Sequence, residues 1–214
     1  MANAKIEGYD CTLFYDYDCY RDMILPKLTD DGKIKWLELR MRMIFLRPLE
    51  VLFDRNSSAF HELESPSQDG SPRTITLMAV SLLMNGIEAL GSFLTNLKSM
   101  KKENFCAFMD QFMPDWTCQI SSPQHGKQPV SLSKILWDDY RNGLAHSFAI
   151  GGAGVDAVQG KDKFKIDGNT LQIDIWKFFS DFKLAVDKMF SDVSASGTSR
   201  SHFLSRFADV YNCK

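Results

Sequence analysis

The chain has 214 residues and a mass of 24.4 kDa, with 44% hydrophobic, 12% aromatic and 24% charged residues. That composition excludes a disordered chain, a collagen-like repeat and a coiled-coil rod. Lys and Arg total 25 against 27 for Asp and Glu, a net charge of −2, which excludes a general nucleic-acid coat but leaves a local basic site open.

A chain of this length buries roughly 70% of its unfolded surface, so it needs no staples to fold. A single domain over residues 1–214 is expected. The cysteines stand at positions 11, 19, 106, 118 and 213. Their number is odd and no pair has CxxC spacing, so free thiols are expected rather than a disulfide framework or a structural zinc. The opening MANAKIEGYDCTLFYDYDCY has no apolar run after Lys5. No signal peptide is expected, and the location expected is the cytoplasm.

Residues 1–30 form a peripheral segment with a weak pattern, in which a short helix near Asp18 to Leu25 would end at Pro26. From Lys33 to Phe53 the apolar residues Trp36, Leu37, Met41, Ile44, Phe45, Leu49 and Leu52 recur at helical spacing, with Asp30 as N-cap. Pro48 should kink or split that helix. Arg40, Arg42 and Arg47 read as a solvated face. Residues 57–72, which contain SPSQDGSP, read as loop.

A long apolar helix is predicted from Arg73 to Met100. Its stretch from Ile75 to Leu97 is long enough to span a bilayer. But Glu88 lies near its middle, and a mid-bilayer acid costs about 2.5–3.5 kcal/mol even on lenient scales, so a buried central helix and no membrane are expected. Ala79, Ser81, Gly86, Ala89 and Gly91 would let neighbouring helices approach closely. Lys101 to Met113 reads as a short helix with Phe105, Phe108, Met109 and Phe112 on one side and Pro114 as its stop. Residues 121–130 are loop. Ser131 or Ser133 then caps the helix SLSKILWDDYRNGLAHSF. Residues 163–175, KFKIDGNTLQIDI, alternate as a β-hairpin around Gly168-Asn169. Trp176 to Val193 and Ser201 to Tyr211 close the chain as helices. The fold expected is an all-α helical bundle with a small β-hairpin insertion.

One segment carries chemistry: Tyr140 to Phe148, YRNGLAHSF. On an α-helix Asn142 and His146 are i and i+4 and share a face. Arg141 lies about 140° round the axis from His146, with a side chain long enough to lean toward that face. A histidine moves protons near neutrality, a guanidinium matches phosphate oxygens with paired hydrogen bonds, and an amide orients either partner. These groups suffice for RNA cleavage without metal: a base takes the ribose 2′-OH proton, the oxygen attacks phosphorus, and a cation stabilises the added charge. Two copies of the helix at a twofold axis would supply both acid and base. Each residue also has a plain structural role open to it. His146 suits a helix C-terminus, Arg141 has Asp138, Asp139 or another carboxylate to pair with, and Asn142 would sit as a surface amide.

The run Arg141, Asn142, three residues, His146 resembles the signature of the HEPN superfamily. The match covers about six residues, with weaker support from the helix order over Arg73–Val193. The resemblance implies an up-and-down bundle whose protomers pair as a homodimer around a cleft lined by both motifs. It implies a metal-independent endoribonuclease of the kind found in toxin–antitoxin or phage-defence systems, with Arg141, Asn142 and His146 as the active triad and no cofactor. RNA would be the substrate and a separate antitoxin a further partner. The alternative is a non-catalytic member of the family that binds a nucleotide or a protein. Glu88, midway in an apolar helix, must find a partner; it is expected to face the motif helix and meet Arg141 or His146 in a supporting role. Lys98, Lys101, Lys102, Lys161, Lys163 and Lys165 would lend local positive charge, or simply form solvated edges. The stretch from Gly154 to Asp162 departs from a phosphate loop in its glycine spacing. Nothing in the spacing joins Cys106 or Cys118 to His125 as a nucleophile and base, and the histidines have no metal-ligand spacing.

Overall fold

In a computed structural model of the protein, residues 5–10, 24–54, 74–95, 97, 102–121, 128–141, 162–167 and 170–211 are described. They are mostly helical, with three short antiparallel strand pairs. The first pair, β1 (Lys5–Ile6) and β2 (Tyr9–Asp10), was not expected from the sequence. Glu7 and Gly8 join the two strands with φ of 51° and 87°, the positive values that a two-residue type I′ turn requires. The Glu7 carboxylate accepts from Thr29 N at 3.0 Å and from the Thr29 hydroxyl. It thereby ties this hairpin to the start of the first long helix.

That helix, α1 (Asp30–Arg40), is capped by Thr29, whose Oγ1 accepts from Gly32 N at 3.1 Å. The cap is thus one residue earlier than the Asp30 expected, which serves instead as a first-turn acid. The chain next winds as a π-helix over Met41–Leu46 and resumes as α2 (Arg47–Phe53). Pro48 has no N–H, and its ring crowds the carbonyl four residues back. The wider π turn just ahead of it relieves that crowding, so the helix is divided into two α segments by a π-wound stretch at the place where a kink or split was predicted. Arg42 stays 41% exposed, as a solvated face requires, and bonds Glu38 at 2.9 Å and Asp187 at 2.7 Å. Upstream, Pro26 lies within a 3₁₀ turn, Leu25–Lys27; the helix predicted from Asp18 falls largely outside the described residues.

The central helix is α3 (Thr74–Thr95), and α4 (Lys102–Phe112) packs against it. Gly91 permits their close approach, because a Cβ there would overlap the carbonyl oxygen of Asn104. A Cβ on Gly86 would stand 2.5 Å from Phe45 Cζ. These are two of the small residues expected to admit neighbours. A 3₁₀ turn, Pro114–Trp116, follows α4. Strands β3 (Gln119–Ile120) and β4 (Val130–Ser131) then pair antiparallel, which was also unexpected. The motif segment opens as α5 (Leu132–Ile135) and winds as a π-helix over Leu136–Arg141.

The predicted hairpin is present as β5 (Phe164–Asp167) and β6 (Thr170–Ile173), in the register Phe164↔Ile173 to Asp167↔Thr170. It is pinned to the helices through Lys163. The ammonium reaches Asp115 and Asp181, both at 2.7 Å, and Trp116 Nε1 donates to the same Asp181 oxygen at 2.8 Å. Helix α6 (Ile175–Ser194) starts at the cap Asp174, which accepts from Trp176 N and Lys177 N. Its buried stripe of Phe178, Phe182, Ala185, Val186, Met189 and Val193 has helical period. Gly197, at φ 140°, turns the chain into α7 (Thr198–Tyr211).

The core is aromatic. Trp36 meets Phe207 edge-on at 5.8 Å, Phe93 meets Phe203 at 5.1 Å, and Trp116 meets Phe178 edge-on at 4.7 Å. Phe108 links α4 to Phe182 of α6 at 5.9 Å. Full burial of each such ring contributes about 1.5–3 kcal/mol. The buried residues form one cluster that draws on every helix and on the strand residues Ile6, Leu171 and Ile173. No helix among the described residues is long and apolar enough to cross a membrane.

Candidate functional site

The site is built where the motif segment crosses the middle of α3. Ser131 holds the N-cap position of α5, but its hydroxyl does not cap the helix. It donates to Thr117 O at 3.2 Å and lies 2.7 Å from Ser133 Oγ. Leu132, Ser133, Ile135 and Leu136 are buried, so the segment is anchored before it reaches Asp138 and Arg141. From Leu136 onward it is π-wound. Each turn then holds more than four residues, a winding that occurs mostly as single turns inside α-helices and is frequent at functional sites. The 3.6-residue angles expected of the motif start at Arg141 and run beyond the described residues. Asn142 and His146 lie outside the described residues.

Glu88 meets the motif segment. Its carboxylate is fully buried, and Arg141 Nε donates to Glu88 Oε2 at 2.6 Å. The Arg141 side chain retains 16% of its exposure. The other carboxylate oxygen, Oε1, is buried and has no hydrogen-bond partner among the described residues. The pair therefore joins through one point. Of the pairings open to Arg141, the one adopted is with this distant carboxylate. Asp138 is instead taken by Lys102, whose ammonium lies 2.7 and 2.6 Å from its two oxygens.

Sequence reasoning missed Trp137. The Arg141 Cζ lies over its ring, 5.0 Å from the centroid. The ring is 8% exposed and tilts at 55° against buried Phe105 of α4, with centroids 5.5 Å apart. An aromatic four residues before an arginine on a helix was the available signal.

The lysine clusters contribute less positive charge than their number suggests. Lys102 and Lys163 are both neutralised by carboxylates, while Lys98, Lys101 and Lys161 lie outside the described residues. Nearby Cys106 is half-buried. Burial first, and then the negative charge of Asp110, push its thiol above the ordinary range, against a hydrogen bond with Ser133 that pulls it down. A thiol so held is a poor nucleophile at neutral pH, and His125 lies outside the described residues.

Chemically, the arrangement offers one arginine fixed at its Nε and on its ring-facing side. Its terminal nitrogens donate to no described residue. Compared with known proteins, no family model matches the chain, and neither a curated protein nor a solved structure matches it.

Proposed function

We propose that the protein is a HEPN-like homodimer that cleaves RNA without metal, of the toxin–antitoxin or phage-defence kind, acting in the cytoplasm. The observation that carries this reading is the Arg141–Glu88 contact: the motif's arginine is held at its Nε by a buried acid of the central helix, and its Nη groups donate to no described residue. In the reaction, one His146 takes the 2′-OH proton and the ribose oxygen attacks the adjacent phosphorus. Arg141 stabilises the added charge on the phosphoryl oxygens, and Asn142 orients the imidazole or the phosphate. The second protomer's motif returns a proton to the leaving 5′-oxygen. The products are a 2′,3′-cyclic phosphate and a 5′-hydroxyl end.

The test is purified protein with RNA in EDTA, beside His146→Ala and Arg141→Lys. Cleavage by the wild type that both variants lose is the expected result. Equal backgrounds in all three refute it. Gel filtration supplies a second check, because a monomer lacks the paired site.

A second reading, a non-catalytic HEPN-like module that binds a nucleotide or a protein, is favoured by two observations. Lys102 and Lys163 are tied up in ion pairs, and the overall pI is about 6.1. A stable partner recovered by pull-down, together with a dimer lacking nuclease activity, would select that reading.

A further inference from the structure

The Arg141 guanidinium is restrained from two directions, and both restraints are rooted in the core. At its Nε stands Glu88, fully buried in α3. Beneath its Cζ, 5.0 Å from the ring centroid, stands Trp137, braced by Phe105. A guanidinium carries five N–H donors in one plane. Glu88 takes one of them, and the four on Nη1 and Nη2 donate to no described residue. Had the ion pair taken the usual two-point form, one Nη would have been consumed with Nε. Instead Oε1 of Glu88 has no partner among the described residues, and neither Nη donates to one of them.

A single hydrogen bond at Nε does not fix a planar group, which can still roll about the N–H···O axis. A ring held beneath its Cζ restricts that freedom. We propose that Trp137 is a positioning residue: together with Glu88 it fixes the plane of the Arg141 guanidinium, so that the Nη edge receives two oxygens of one phosphodiester. Preorganisation of this kind moves the ordering cost from binding into folding. The inference deepens the function proposed above and rests on it for RNA as the ligand.

The probe is a fluorescein-labelled 2′-O-methyl oligoribonucleotide, which cannot be cleaved because the attacking hydroxyl is blocked. Its affinity is read by anisotropy, and cleavage of the matching unmodified RNA is read in parallel. Trp137→Leu keeps apolar volume but removes the π face; Trp137→Phe keeps a face. Trp137→Leu is expected to weaken oligonucleotide binding by about tenfold, with a similar loss in kcat/KM, and Trp137→Phe to restore most of both. In an Arg141→Lys background the Trp137→Leu effect should vanish, since the planar group on which it acts is gone. A merely structural tryptophan would cost the same in both backgrounds, and that result overturns the inference, as does unchanged or absent binding. A wild type that binds in this Trp137-dependent way yet leaves RNA intact keeps the inference and defeats the ribonuclease reading. RNA cut equally well by wild type and Trp137→Leu does the reverse.

Discussion

Removal of Arg141 should cost far more stability than its partly exposed position suggests. Glu88 is fully buried and its one hydrogen bond among the described residues comes from Arg141 Nε. Arg141→Met keeps most of the aliphatic stem and its packing on Trp137, but leaves the carboxylate uncompensated. Breaking a buried ion pair from one side costs about 3–5 kcal/mol, a large share of the roughly 5–15 kcal/mol that keeps a domain folded. For a chain of this size that corresponds to a fall in Tm of about 6–20 °C. The companion substitution Glu88→Met removes the stranded charge. Replacement of both partners by well-packed apolar groups is often neutral, so the double variant should recover most of the loss. Urea unfolding followed by far-UV circular dichroism measures all four corners of the cycle. An Arg141→Met cost below about 1 kcal/mol, the level of an exposed pair, or a double variant worse than Arg141→Met alone, would refute the burial argument.

Three further outcomes follow from the packing and the titrating groups. Gly91→Ala gains about 1 kcal/mol of helix propensity but drives a methyl into backbone of α4. Overpacking of about 1–3 kcal/mol should win, giving a lower urea midpoint; a higher one would contradict the close approach. Lys163 is held above its ordinary value of 10.5: burial alone would lower it, and the bonds to Asp115 and Asp181 outweigh that. A raised cationic group stabilises fully below its unfolded pKa and ceases to do so as pH rises through the folded one. The stability gap between wild type and Lys163→Met should therefore be constant from pH 6 to about 9 and close only above about pH 10.5. Finally, iodoacetamide at pH 8 should label exposed Cys118 before half-buried Cys106, as read by peptide mass spectrometry; the opposite order would contradict the burial of Cys106.

The long helices were legible because each buries one stripe, and a stripe at 3.6-residue period is a one-dimensional signal. Phe105, Phe108, Met109 and Phe112 are all buried as that period requires. Thr29 was passed over for Asp30 because adjacent residues of capping type are equivalent until a backbone N–H selects one. The two-residue strands at Lys5–Ile6 and Gln119–Ile120 are too short to alternate. Both π turns were illegible, since they are set by local crowding and packing rather than by hydrophobic pattern. At the site, the Glu88 contact was readable because a buried charge must have a partner. The platform role of Trp137 was not, because an aromatic that fills core and one that braces a cation leave the same letter in the sequence.

A buried acid in the middle of the central helix is a poor choice for stability alone, since an apolar residue there would serve the core at least as well. On the function proposed, its value lies in what it does to Arg141, and two opposing effects make that testable with Glu88→Gln. Across a guanidinium, the carboxylate and a bound phosphate stand roughly 7 Å apart, and their repulsion is about 0.6 kcal/mol in water and about 2.4 kcal/mol at an effective dielectric of 20. Removal of the charge should therefore raise affinity for the uncleavable oligonucleotide several-fold. The same change weakens a charge-assisted hydrogen bond of about 1.5–3 kcal/mol that aims the fork. The transition state depends on that aim more than the ground state does, so kcat should fall by about tenfold. Tighter binding with slower turnover is a movement that general loosening of the fold cannot produce. If affinity and kcat fall together, Glu88 is only the counter-ion of Arg141, and the motif's arginine owes its position to stability rather than to chemistry.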